Sequence, residues 1–95
     1  MLKKLDPLLH NELRLAIMSL LMTVDDAEFN YLLEKTESTR GNLSVQIQKL
    51  KNAGYLSVKK TFRGNYPLTI CKIDPLGRAA FEEYVKTIST YFKGT

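Results

Sequence analysis

One cysteine, Cys71, and one histidine, His10, are all that this chain has of two reactive residue types. A single thiol excludes an internal disulfide and fits a reducing compartment. The two residues cannot make a zinc site alone, since zinc takes about four ligands. His10 stands at the start of an apolar-periodic segment and reads as a surface or packing residue rather than a general base. A Ser–His–acid triad built around Ser44 has nothing in the sequence to bring its members together. No apolar run approaches the roughly 20 residues that span a bilayer. The opening "MLKKLDPLLHNEL" carries two lysines, but acids and histidine soon interrupt it, so it does not read as a signal peptide. Repeats and low-complexity segments are also lacking. The expectation is a cytoplasmic single domain with no metal, no cofactor, no membrane contact and no enzymatic role. With 44% hydrophobic and 25% charged residues in 95, the chain can build one modest core but not two.

Acid is the absence that says most. Residues 38–73 contain no Asp or Glu, while Arg40, Lys49, Lys51, Lys59, Lys60, Arg63 and Lys72 supply seven positive charges. The other seven bases stand against all ten acids, so the net charge of +4 is concentrated in one stretch. Such asymmetry within a small domain is the electrostatic footprint of a polyanion-binding surface.

Hydrophobic periodicity supplies the scaffold. Asp6-Pro7 reads as an N-cap with proline in the first helical turn, opening a helix of about 14 residues that carries Leu9, Leu13, Ala16, Ile17, Leu20 and Leu21. "TVDDAE" breaks the pattern and offers Asp25 and Asp26 as caps. Phe29, Leu32 and Leu33 mark a short second helix ending near Lys35. After a turn at residues 36–39, Ser38 or Thr39 can cap a third helix that buries Leu43, Ile47 and Leu50 and ends at Gly54. "YLSVKKTF" and "LTICKI" read as the strands of a hairpin around "RGNYP". In the returning strand Leu68 and Ile70 compete with Cys71 and Ile73 for the buried face. Asp74-Pro75 then opens a last helix with apolar residues at Phe81, Val85, Ile88 and Phe92, widened by Tyr84 and Tyr91. That width exceeds what one small core readily buries, so these six residues are expected at a homodimer interface.

The third helix exposes small, amide and basic side chains where helix-favouring ones would serve solubility better. Asn and Gln suit adenine, and Arg and Lys suit guanine or phosphate, in the major groove of a duplex. Thr39 and Arg40 are placed on the backbone or nearby bases. Asn42, Ser44, Val45, Gln46, Gln48 and Lys49 are candidates along the groove, with Val45 available for a thymine methyl. Lys59, Lys60 and Arg63 flank the hairpin turn, where long cations reach phosphates. RNA finds few stacking platforms beyond Tyr66 and Phe62.

Helix, helix, helix, hairpin, helix is the order of a winged helix. With "LHNELRLAIMSLL", "FNYLLEKTESTRGNLSVQIQKLKNAGYL" and "KKTFRGNYPLTICKIDPLGRAAFEEY" in that order, the chain resembles the MarR-like and ArsR-like winged-helix transcriptional regulators over about nine tenths of its length. The resemblance implies a mainly α fold with a small β-hairpin wing, a winged helix-turn-helix in α-α-α-β-β-α order. Its helix-turn-helix falls at about 27–53, its wing at about 55–73 and its C-terminal dimerisation helix at about 75–92. It further implies a homodimeric regulator that binds double-stranded DNA in a sequence-specific way, with helix three in the major groove and the wing near the minor groove or backbone. Two departures stand out. Val45 and Gln46 occupy positions where such regulators often carry Arg and His, and the cysteines of the metal-sensing branch are missing. The resemblance names no small-molecule effector, and a winged helix that only binds other proteins is the competing use of this fold.

Overall fold

The computed structural model describes residues 2–93. In chain order it contains α1 (Glu12–Leu21), β1 (Ala27–Glu28), α2 (Phe29–Thr36), α3 (Arg40–Asn52), β2 (Leu56–Arg63), β3 (Tyr66–Ile73) and α4 (Pro75–Phe92). The expected order of helices and hairpin is present, with one addition. β1 pairs antiparallel with β3, so the sheet has three strands in the order β1-β3-β2.

The first helix starts later than the sequence pattern predicts. Asp6 does cap a turn, its carboxylate accepting the Leu8 N–H at 2.9 Å and its carbonyl accepting the His10 N–H at 2.9 Å. That turn closes on itself. The helix begins afresh at Glu12, where the Asn11 side chain accepts the Arg14 N–H, and it runs 10 residues. Leu9 is therefore buried from the turn and not from the helix. Asp25 and Asp26 are exposed and are not the cap of α2. The α2 N-cap is Glu28, without a side-chain cap bond, because β1 holds the chain extended up to Phe29 by pairing Ala27 with Cys71 and Glu28 with Ile70.

α3 forms as the pattern requires. Thr39 caps it, its hydroxyl accepting the Asn42 N–H at 3.2 Å. Leu43, Ile47 and Leu50 are buried along one face, each contributing about 1.5–3 kcal/mol by leaving water. The C-cap is Ala53, and Gly54 follows at φ +80°. The Gly54 N–H reaches the Lys51 carbonyl and the Tyr55 N–H reaches the Leu50 carbonyl, the paired bonds of a Schellman ending, which needs a left-handed residue at that place.

The core gathers Ile17, Met18 and Leu21 of α1, Leu32 of α2, Leu43 and Leu50 of α3, Leu56 of β2 and Cys71 of β3. Cys71 and Ile73 take the buried face of β3, which resolves the parity that the sequence left open. α4 begins at Pro75 as expected, yet the Asp74 carboxylate accepts the Ser57 hydroxyl at 2.7 and 2.8 Å and caps no N–H. Gly77 lies against the root of β2: a Cβ there would stand 2.0 Å from the Tyr55 carbonyl oxygen. Only glycine lets α4 approach so closely.

Candidate nucleic-acid interface

Three buried leucine and isoleucine positions orient α3, so the rest of its circumference faces solvent by default. Gly41, Asn42, Ser44, Val45, Gln48, Lys49, Lys51 and Asn52 are exposed there, Val45 by 51%. Arg40, at the helix start, donates to the Asn30 side-chain oxygen at 3.0 Å, with its guanidinium 5.8 Å from the centre of the Phe29 ring. Two contacts thus hold it beside α2. Gln48 donates to Asn52 at 2.9 Å along the exposed face.

Gln46 differs from its neighbours. It is half-buried, donating to Asn42 at 2.9 Å and accepting from the Arg14 guanidinium of α1. Arg14 also donates to the Leu8 carbonyl at 2.6 Å, so this network ties the polar face of α3 to α1 and the preceding turn. Gln46 was expected along the groove and is occupied in holding α3 in place. Nothing in the periodicity of α3 signals that partner, which lies 32 residues away.

The wing is a β2–β3 hairpin around the two-residue turn Gly64–Asn65. Side chains alternate across a strand, so Val58 and Lys60 share one face of β2 while Lys59 and Arg63 share the other. Lys60, Val58 and the cross-strand neighbour Thr69 line a groove of about 510 Å³ whose opposite wall is Ser44, Gln48 and Lys51 of α3. The three expected wing cations therefore do not lie on one face. Lys60 faces α3, and Lys59 points away from that groove. Arg63 makes a 2.9 Å ion pair with Glu28 of β1. That carboxylate lies outside the acid-free segment and was invisible to a count along the chain. Arg40, Lys51 and Lys60 line the α3–wing groove with no carboxylate among its lining residues.

α4 splits the six residues expected at a dimer interface. Tyr84 is 7% exposed, and its hydroxyl lies 3.0 Å from Nδ1 of His10, so it belongs to the protein's own core. Phe81 and Ile88 pack against that core as well. Val85, Tyr91 and Phe92 remain exposed, as does Leu76 in the first turn at the other end of the helix, and Phe92 is 83% exposed. Rotation accounts for Val85 and Phe92, which share a face about 100° from the buried Gly77–Tyr84–Thr87 face at 100° per residue, whereas Tyr91 lies in line with Tyr84 and Thr87 on the last turn of α4, beyond the buried residues. The N-terminal segment runs along the same helix. Lys3 pairs with Glu83 at 2.8 Å and its carbonyl accepts the Tyr91 hydroxyl at 2.9 Å.

Burial pushes the Cys71 thiol up to about 11, which leaves it protonated and unreactive in the core. Among the described residues, no group of three His, Cys, Asp or Glu side chains is placed to hold a metal. Among those residues, too, no helix is long and apolar enough to cross a membrane.

Comparison with known proteins agrees with this geometry. The family model described as a winged helix DNA-binding domain matches residues 13–92. An uncharacterised protein of Methanocaldococcus jannaschii is 40% identical over 75 residues, covering 79% of this chain and 82% of its own. Among solved structures, a transcriptional regulator homologue from Pyrococcus horikoshii superposes with a TM-score of 0.86 at 25% identity, over 92% of this chain and 86% of that one. The PadR protein of Bacillus subtilis, solved in complex with operator DNA, superposes with a TM-score of 0.70 at 13% identity, over 79% of this chain and 48% of its own. A MarR-family regulator from Silicibacter pomeroyi shares the fold, with a TM-score of 0.68 at 14% identity over 87% and 55% of the two chains. Family and fold are those of transcriptional regulators and not of enzymes. With its α3 and wing bounding one basic groove and the family match spanning nearly all of its folded elements, the chain belongs to the winged helix DNA-binding domain family.

Proposed function

We propose that this protein is a sequence-specific, double-stranded-DNA-binding regulator of transcription that works as a homodimer in the cytoplasm. The observation that carries the reading is the groove between α3 and the wing, which Arg40 and Lys51 of α3 and Lys60 of the wing line with no acid among them. Seated in a major groove, α3 presents Asn42, Ser44, Val45, Gln48 and Lys49 to base edges. Its capped N-terminus, with Thr39 and Arg40, lies towards phosphate. Gln46 acts from behind by bracing α3 against Arg14. Lys60 meets the backbone from the wing, and Lys59 does so from the wing's outer face. The likeness in fold to PadR, solved in complex with operator DNA, supports double-stranded DNA as the partner.

Dimerisation is assigned to the face of α4 formed by the exposed Val85 and Phe92, seven residues apart, and flanked by the half-buried Phe81 and Ile88. Two copies joined there read half-sites centred about one helical turn, ~34 Å, apart.

Selection of sites from random duplex DNA, followed by titration of the selected site, tests the reading. Gln48→Ala is expected to cost about 1–3 kcal/mol on that site, as a lost bidentate base contact does, and far less on random duplex. A folded double variant, Asn42→Ala with Gln48→Ala, that keeps full specific affinity would remove α3 from sequence readout. Failure to enrich any duplex would favour a protein-interaction module.

A further inference from the structure

We propose that the wing ends in an apolar wedge, Phe62 backed by Pro67, which enters the minor groove and unstacks a base step. The protein would then read DNA deformability as well as base edges. This rests on the DNA-binding mode above and adds a recognition element to it.

The groove-facing side of β2 changes character along its length. Leu56 is 1% exposed, Val58 is half-buried, Lys60 is exposed at the groove wall, and Phe62 is 70% exposed. Strand alternation keeps all four on one face. Phe62 Cα therefore stands about 14 Å beyond Val58, at roughly 3.4 Å per residue, past the last core contact. Its cross-strand partner is Pro67, also exposed, so the final pair on this face is apolar on both strands.

A phenyl ring this exposed adds nothing to the core and costs solubility, unlike the lysine two residues before it. The arginine that would enter a minor groove from such a hairpin is placed elsewhere. Arg63 is on the opposite face, with its guanidinium 2.9 Å from Glu28. What the wing leads with on the groove side is thus a ring flanked by Lys60, a cation for the phosphates beside an opened step. Phe and Pro are the side-chain types that pry base steps apart, and pyrimidine–purine steps yield most cheaply. The acid-free charge of residues 38–73 favours a polyanion over a protein partner as the occupant of this tip.

The experiment places 2-aminopurine at a TA step at the wing position of a selected duplex, and a rigid A-tract at that position in a second duplex. The parent protein is expected to raise 2-aminopurine fluorescence and to prefer the TA duplex by about tenfold, the size of one disfavoured base position. Phe62→Ala is expected to abolish both the fluorescence rise and the preference, and Phe62→Leu to restore them in part. Lys60→Ala should weaken both duplexes equally and keep the preference. If Phe62→Ala binds both duplexes as the parent does, the wedge is refuted while DNA binding stands. If Phe62→Ala changes only the oligomeric state in sedimentation, the ring belongs to a protein contact and the proposal falls. If the parent binds no duplex, the wedge falls together with the reading beneath it.

Discussion

Replacing Gly77 with alanine sets a gain in helix propensity against a clash with backbone. The new Cβ would lie 2.0 Å from the Tyr55 carbonyl oxygen and 2.8 Å from its carbonyl carbon and Cα. Ordinary contact begins near 3.4 Å, so the first turn of α4 must withdraw by about 1.4 Å from the root of β2. The opposing atoms are main chain and cannot swing aside as a flexible side chain would. Overpacking of this kind costs about 1–3 kcal/mol. Withdrawal also stretches the 3.0 Å bond from the Asp74 N–H to the same Tyr55 carbonyl, worth about 1 kcal/mol net. Alanine returns at most about 1 kcal/mol of helix propensity, and less in a first turn than in a helix interior. The balance is a destabilisation of about 1–3 kcal/mol, equivalent to a fall in Tm of roughly 5–20 °C for a domain of this size. Urea unfolding followed by circular dichroism measures it directly, through a lower midpoint at unchanged slope. A Gly77→Ala protein as stable as the parent would refute the close packing of α4 on β2.

The two wing lysines should separate in salt titrations of DNA binding. Lys60→Ala is expected to reduce the slope of log K against log salt by about 0.9 for one lost phosphate contact, with a smaller change for Lys59→Ala on the outer face. Equal effects would mean that strand parity does not govern access to the duplex. On α4, Val85→Glu combined with Phe92→Glu should give a folded monomer where the parent sediments as a dimer. A parent that is itself monomeric at the same concentration would remove the interface. The Tyr55 hydroxyl is raised from 10.0 to about 12, first by burial and then by its bond to Asp6 and that carboxylate's charge. Its folded value exceeds its unfolded one, so its contribution to stability is complete below pH 10 and is lost as pH rises through 12. Tyr55→Phe should flatten that alkaline decline, and an unchanged pH profile would detach Tyr55 from it.

Local chemistry was legible in the sequence because its causes lie within a few residues. The Thr39 cap, the buried Leu43–Ile47–Leu50 face, the Gly54 ending and the Pro75 start are all set by neighbours one turn away. The acid-free segment is likewise a property of the chain, and it marked the two elements that bound the basic groove. Where a local signal had two possible uses, the sequence pattern went astray. Asp6-Pro7 carries every mark of a helix start and instead caps a closed turn, its carboxylate shared with the Tyr55 hydroxyl from 49 residues away. Two-residue β1 left no periodic trace, since its existence depends on β3 lying alongside.

What the sequence by itself determined is therefore the four helices and the hairpin, their order and the polarity of each exposed face. Tertiary structure alone decided which members of those faces are free. Gln46 is claimed by Arg14, Arg63 meets Glu28, Tyr84 turns inward to His10, and Phe62 is left outermost at the wing. The physical reason is range. Propensity, capping and amphipathicity act between residues a turn or two apart, whereas these pairings join side chains 32 to 74 positions apart that meet only after the elements have packed.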